Sequence, residues 1–312
     1  MFTHLAETID VIVHSGAYVH WVYPYSKLKA INVLSTVELL RLATTTKLKA
    51  MHFMSSTSVY ESTALLQRSS VSEDDPLSSS EGISTGYGQS KWVADRIVSL
   101  ARTRGVPCNI YRCGYISGST TTGVWTTDDF LCRLIKGCVQ IQAFPDLQSA
   151  TCDLLPVDFV AKRIVQIISN GTLGTTFNMC NSAAPTFTQL LQSVADAGYT
   201  LQQLPYLEWR TKLQQTINET TDDKNGNALG AVFGMFTTDY PAKLRRPVYQ
   251  TTNSGITGTE VPAIETAMIN YVAYFVRSGF IQAPANSGAI KEQLQAQHLP
   301  SVLVTRTQRT VA

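Results

Sequence analysis

A tyrosine, a lysine four residues later on the same helix face and a nearby hydroxyl are the side chains that reduction of a carbonyl by hydride requires. They supply a proton donor at the developing alkoxide, a second hydrogen bond to orient that oxygen, and a cation to lower the donor's pKa. Tyr87 and Lys91 in GYGQSKW have this spacing. So do Tyr23 with Lys27 and Tyr25 with Lys29, so spacing alone does not choose. Context does. Tyr87 opens a long segment with Val93, Ile97, Leu100 and Ala101 at helical spacing, and it comes after a hydroxyl-tipped apolar run at a distance of about thirty residues. That run ends in Ser55, Ser56, Thr57 and Ser58. Hydroxyl clusters after a strand commonly bond their own backbone in turns. Ser56, however, falls at the carboxyl end of the strand beside the Tyr87 helix, which makes it the second candidate donor, with Thr57 in reserve. His14 ends another apolar run, where a lone histidine is more often a core or edge residue than a catalyst. Ser15, Gly16 and Ala17 after it are small enough to let a cofactor ribose or adenine approach the backbone, or else they form a simple tight turn.

Positioning these groups requires strands and helices in alternation. The β-branched run at residues 10–14 predicts a strand, and residues 28–43 carry apolar side chains at helical spacing. A second strand at 50–54 leads into SSTSVY, a polar loop crosses Glu73 to Gly86, and a long helix over 86–104 ends at Gly105. Pro107 to Tyr111 begins a third unit. Such alternation implies right-handed crossovers and an α/β, Rossmann-like parallel sheet with helices on both faces. Ligands of such sheets sit beyond the carboxyl ends of the strands, here His14 to Ala17, Ser55 to Thr57 and Cys113 to Gly118. After residue 118 the pattern turns to helical pieces at 128–138, 157–169, 187–197 and 206–217, with one strand near 175–179. The chain is therefore expected to divide into a cofactor domain over 1–118, a smaller, mainly helical substrate lobe over 119–285 and a weakly ordered tail over 286–312. Residues 218–227 read as a surface loop or a lid, and 262–278 as a helix ending at Gly279.

Composition narrows the function classes. Of 312 residues, 44% are apolar and 15% charged, which is the balance of a globular chain with a sizeable core. The net charge of +2 comes with no run of lysines or arginines, which argues against a nucleic-acid surface or a polybasic membrane anchor. Glu7 and Asp10 interrupt the region where a signal peptide would be apolar, and no apolar run approaches the ~20 residues that span a bilayer, so a cytoplasmic location is expected. Cys108, Cys113, Cys132, Cys138, Cys152 and Cys180 form no CxxC pair and read as core thiols, with no metal site expected. Tyr206, Trp209 and Phe236 could line an acyl pocket, but core packing is the preferred reading.

The segments HSGAYVHWVYPYSKLKAINVLST, HFMSSTSVY, GYGQSKWVADRI and YRCGYISG, in this order, resemble an extended short-chain dehydrogenase/reductase. With TTTGVWTTDDFLCRLIKGCVQ they resemble, more narrowly, the thioester reductase domain of the L-2-aminoadipate reductases. The likeness covers roughly residues 8–215, with a weaker echo near YVAYFVRSGFIQAP. It implies NADPH as hydride donor and an acyl thioester on a phosphopantetheine arm, presented by a carrier domain. Ser56, Tyr87 and Lys91 match the family's catalytic triad. Tyr87 and Ser56 would stabilise the oxyanion, while Lys91 would bind the nicotinamide ribose and depress the Tyr87 pKa. Loss of the pantetheine thiol would leave aminoadipate semialdehyde, a step in lysine biosynthesis. Where the family commonly has Arg-Pro-Gly facing the nicotinamide, this chain has Arg112, Cys113 and Gly114. With His14, Ser15, Gly16, Ala17 and Lys91, these are the candidate cofactor contacts.

Family members begin with a strand, a Gly-rich turn and a helix whose first N–H groups hold the pyrophosphate. Before residue 50 this sequence has only Gly16. The expectation is an N-terminally truncated sheet with an exposed edge, in a fragment of a longer protein with adenylation and carrier domains upstream. Two other readings remain. A nucleotide-sugar epimerase or dehydratase would use the same triad with a tightly held NAD and draw on Arg133, Lys136, Lys162 and Arg163. A non-catalytic binding module would keep the fold without binding NADPH.

Overall fold

The computed structural model describes residues 1–219 and 226–295. Most of the polar stretch at 218–227 and residues 296–312 of the expected tail lie outside the described residues. The chain runs α1 (Phe2–Thr8), β1 (Val11–His14), α2 (Tyr25–Lys29), a π-helical turn (Ala30–Leu34), α3 (Ser35–Thr44) and β2 (Ala50–Ser56). Next are a 3-10 turn (Thr57–Tyr60), α4 (Thr63–Leu66), β3 (Ser70–Val71), α5 (Gly86–Thr103), β4 (Cys108–Cys113) and β5 (Tyr115–Ser117). Then come α6 (Phe130–Ile141), β6 (Ala143–Pro145), β7 (Leu154–Pro156), α7 (Val157–Ser169), β8 (Thr176–Met179) and α8 (Phe187–Asp196). The described part closes with β9 (Gln202–Leu204), α9 (Tyr206–Glu219), α10 (Tyr240–Lys243), β10 (Val248–Tyr249), α11 (Ile264–Arg277) and α12 (Lys291–Gln295). Among the described residues no helix is long and apolar enough to cross a membrane.

The chain forms two compact units. The first comprises Met1–Tyr115, Phe159–Ala183 and Arg246–Glu260. Its sheet is parallel throughout, in the order β1-β2-β4-β8. The register sets His14 beside Phe53, Ser56 beside Cys113, and Cys113 beside Met179, so the strands end along one rim. This is the α/β class expected from the alternation of apolar runs. All six residues of β4 are buried, as befits a central parallel strand covered on both faces. One face packs Met51 and Phe53 against Leu42 and Ala43 of α3 and Ala94 and Val98 of α5. At the other end of the order, β1 has β2 as its ladder partner among the described residues. Ile12 and His14 point inward, whereas Val11 and Val13 are 46% and 53% exposed.

Residues 159–183 and 246–260, read from the sequence as part of the substrate lobe, lie in this first unit. β8 extends the sheet alongside β4, and β10 pairs in parallel with β3. Both pairings join residues far apart in sequence, which hydrophobic periodicity cannot report.

The second unit comprises Ile116–Asp158, Ala184–Arg245 and Val261–Ala312. It is mainly helical, with α8 packed on α11 and a short parallel pair, β6 with β9. The amphipathic α9 buries Trp209 completely against the edge of the Phe236 ring at 5.3 Å between centroids, and Tyr206 stacks on Tyr240. These aromatics pack the core. All six cysteines are buried free thiols.

Helix α6 is capped by Asp129, whose carboxylate accepts the Leu131 N–H at 2.8 Å. Burial pushes its pKa up to about 6, against the pull of the capping N–H groups. A carboxyl whose folded pKa is raised contributes stability that is present in acid and lost as pH rises through the folded value. Asp129→Asn keeps the cap and removes the charge. Its expected effect, discounted for partial exposure, is a gain of about 1–2 kcal/mol at about pH 8 and almost none at about pH 4. Equal effects in thermal melts at the two pH values would refute this.

Candidate functional site

Tyr87 stands in the first turn of α5. The Thr85 hydroxyl caps that helix by accepting the Gly88 N–H at 3.1 Å. Gly86 lets the preceding chain lie directly on this turn: a Cβ there would stand 2.3 Å from the Tyr23 carbonyl oxygen and 2.5 Å from the Tyr25 nitrogen. Since both are backbone atoms, Gly86→Ala must displace the turn that carries Tyr87. Displacement by about 1 Å at a reacting group can cost 100-fold. We therefore expect turnover to fall by more than about tenfold, in kinetics compared with the unfolding midpoint. Unchanged kinetics would show that the turn does not hold Tyr87.

One turn further along, Lys91 is buried, its ammonium donating to the Met54 carbonyl of β2 at 2.5 Å and lying 4.4 Å above the centre of the Phe53 ring. Burial pushes its pKa down to about 8, and Asp95, a turn beyond, pulls the other way. Lys27 and Lys29, the lysines of the two competing Tyr–Lys pairs, are exposed. The structure thus separates the three matches by burial. It also brings Lys91 to the end of β2 that bears Ser56, since its partner Met54 lies two residues before Ser56 on the strand. The Ser56 hydroxyl accepts the Ser58 N–H at 3.2 Å, capping the 3-10 turn and leaving its own hydrogen to donate. A Cβ on Gly88 would come within 3.6 Å of the Ser58 carbonyl, so the first turn of α5 reaches this same segment. Thr57, the reserve, opens the 3-10 turn.

At the end of β1, His14 is buried, its Nε2 3.1 Å from the Thr36 hydroxyl and its ring 5.4 Å from that of Phe53. Burial, and secondarily the Lys91 cation, push its pKa down to about 4, so it is a neutral ring near pH 7. Ser15 and Gly16 are exposed and Ala17 half-buried. A Cβ at Gly16 would meet only the His14 ring, at 3.8 Å, so this backbone is open on its other sides.

Two residues not singled out by sequence pattern hold the site together. Asn32, buried in the π-helical turn, accepts the Tyr18 N–H at 2.7 Å and donates to the Tyr18 carbonyl and to the Ser90 hydroxyl. Ser90 in turn donates to the Tyr87 carbonyl at 2.8 Å. Asn32 thereby ties the loop after β1 to the Tyr87 turn, and π turns inside helices are frequent at functional sites. Its only trace in the sequence is an amide among apolar residues in AINVL.

The second is Asp95, fully buried. Arg112 of β4 donates to both its oxygens, at 2.9 and 3.0 Å, and Ser55 to one at 2.6 Å. The Arg112 guanidinium, on the segment whose backbone is expected to face the nicotinamide, is committed to Asp95 and to the Tyr60 hydroxyl, 2.7 Å away. Tyr60 passes the chain on to Asn178 of β8 at 2.8 Å. Cys113 is buried, and the Gly114 N–H donates to the Met179 carbonyl.

Of the basic side chains considered for a sugar diphosphate, Arg133 pairs with Asp128, Arg163 pairs with Glu260 and Lys136 lies over the Phe280 ring. Lys162 is exposed. Among the described residues no group of three or more His, Cys, Asp or Glu side chains is placed to hold a metal ion.

Comparison with known proteins adds to this geometry. The family model of an NAD-binding domain described as male sterility protein matches residues 1–164. The L-2-aminoadipate reductase large subunit of Penicillium chrysogenum is 34% identical over 91% of this chain, and that of Eremothecium gossypii 37% identical over 90%. The chain spans 22% of the length of each of these curated relatives. The terminal R domain from the myxalamid PKS-NRPS biosynthetic pathway superposes with a TM-score of 0.80 at 35% identity, over 91% of this chain and 72% of that one.

Proposed function

The chain belongs to the NAD-binding family of the male sterility protein, and from that premise we propose that it is an NADPH-dependent thioester reductase that releases an acyl group from a phosphopantetheinyl carrier as an aldehyde. The observation that carries this reading is the buried Lys91 ammonium, held at the end of the strand that bears Ser56, one turn after Tyr87 on the same helix. The likeness to two L-2-aminoadipate reductases favours an aminoadipyl thioester and aminoadipate semialdehyde as product, with the carrier domain as partner and lysine biosynthesis in the cytoplasm as the setting.

The residues present fit the nicotinamide half of a dinucleotide. Lys91 is a buried cation whose other ammonium hydrogens suit ribose hydroxyls, and the open backbone at Gly16, beside the exposed Ser15 and next to Ala17, suits the ribose or adenine. Cys113 and Gly114 border the same rim, at the carboxyl end of β4. Bound there, NADPH supplies the hydride. Tyr87 and Ser56 then donate hydrogen bonds to the carbonyl oxygen as negative charge gathers on it, which is where fixed donors lower a barrier most. Lys91 is assigned the role of the cation that favours proton release from Tyr87, one turn before it on the same helix. Collapse of the reduced carbon then expels the pantetheine thiol. The first unit, with residues 159–183 and 246–260 included, is assigned the cofactor end and the second unit the acyl end.

The test is to incubate the full chain with NADPH and an aminoadipyl-pantetheine thioester, following NADPH consumption, free thiol and aldehyde. Equimolar appearance of thiol and aldehyde is expected. Failure to transfer hydride to any pantetheine thioester would overturn the proposal.

A further inference from the structure

Two hydrogen bonds stitch α5 to the last residues of β2, at the two positions immediately before Ser56. Lys91 donates to the Met54 carbonyl, and Ser55 donates to Asp95, which lies four residues after Lys91 on the same helix. Asp95 could not serve as a fixed acceptor if it were left alone: an unpaired buried carboxylate takes up a proton or drifts toward water. Arg112 prevents this by gripping both oxygens from the neighbouring strand, where it sits directly opposite Ser55 in the ladder. Arg112 is held in turn. Burial works against its charge, but Asp95 outweighs that and keeps its pKa above the ordinary arginine value. The Tyr60 hydroxyl accepts from Arg112 and donates to Asn178, while Glu73 accepts the backbone N–H groups of Asn178, Asn253 and Ser254. A single polar network thus runs from α5 through β2 and β4 to β8 and the returning segment at 246–260, all within the first unit.

So much buried polarity is a poor device for stability alone, since an apolar cluster of equal volume does as well. What it provides is direction. Arg112 holds Asp95 with two nitrogens, Tyr60 is shared between Arg112 and Asn178, and Glu73 among three N–H donors, while the member nearest the proposed chemistry is the serine adjoining Ser56. We propose that Asp95, clamped by Arg112 and acting through Ser55, is a positioning residue that fixes the Ser56 hydroxyl relative to Tyr87 and Lys91. The inference rests on the assignment of those three residues made above.

Ser55→Ala is the discriminating variant, because it cuts the tie and leaves the Asp95–Arg112 pair intact, so that the protein folds. In the full chain, kcat is expected to fall about tenfold while KM for NADPH and for the thioester stay within about twofold, since a misdirected donor weakens the transition state rather than binding. Ser55→Thr, which restores the hydroxyl, should recover most of the rate. Tyr87→Phe is assayed beside them. If Tyr87→Phe is inactive and Ser55→Ala keeps the wild-type kcat, or Thr fails to rescue, the positioning role is wrong and the site assignment stands. If Tyr87→Phe reduces the thioester as fast as the wild type, the assignment fails and the positioning role fails with it.

Discussion

Tyr87→Phe should lower turnover by about 10²–10⁴-fold, the usual contribution of a positioned general acid, while leaving the NADPH dissociation constant within about twofold. The ring is retained, so packing of the first turn of α5 is undisturbed. The Thr85 cap and the close approach of Tyr23 to Gly86 involve backbone and other side chains. On the proposed mechanism the change removes the O–H that donates to the carbonyl oxygen. Lys91 keeps its hydrogen bond to Met54, so the cofactor side of the site is untouched. Single-turnover consumption of NADPH, set beside calorimetric binding, separates the two effects. A variant that turns over like the wild type would remove Tyr87 from the mechanism, and one that loses NADPH binding would make it a cofactor contact instead.

Arg112→Ala should cost about 3–5 kcal/mol of folding stability, the largest stability effect expected of any single change in the first unit. The Asp95 side chain is 0% exposed and that of Arg112 4% exposed, so removing the guanidinium strands a carboxylate in the interior together with the Tyr60 hydroxyl. Removal of both charges is a different matter. Arg112→Met combined with Asp95→Leu leaves no charge to strand and should lose far less than the sum of the two single changes, so that the cycle shows strong coupling. Urea unfolding of the wild type, the two single variants of the cycle, the double variant and Arg112→Ala measures it. Additive losses, or a loss below about 1 kcal/mol for Arg112→Ala, would mean that water reaches Asp95 and relieves it.

The parts of the fold that the sequence announces are those with a local signal. α7 begins and ends at the residues where the periodicity does, and the stop of α5 coincides with Gly105 at a positive φ of 93°. The direction of the sheet came from alternation alone. The membership of β8 did not, because its four buried residues look the same whether they pair with β4 or within a separate lobe. In the site, Tyr87 was separable from Tyr23 and Tyr25 by the long periodic helix that it opens and they do not, but the burial of Lys91 is a property of three dimensions. The serines show the limit most sharply. Ser55 and Ser56 are adjacent and chemically identical, and only the alternation of the strand sends one to Asp95 and the other to the turn. Arg112 was legible as a charged residue near the rim. Its partner was not, since an aspartate within a helix usually signals solvent.

The outer side of β1 has consequences for anyone who concentrates this chain. Among the described residues β2 is the ladder partner of this strand on one side, Val11 and Val13 are exposed, and Asp10 pairs with Lys47 at its entrance. A strand edge accepts any extended segment, because backbone recognition is indifferent to which side chains arrive with it. Association at high concentration is therefore expected to depend on the four residues of β1 more than on surface charge, and that dependence sets a ceiling on solubility. Dilution and low temperature during refolding would work on that ceiling, whereas changes of salt would move it little.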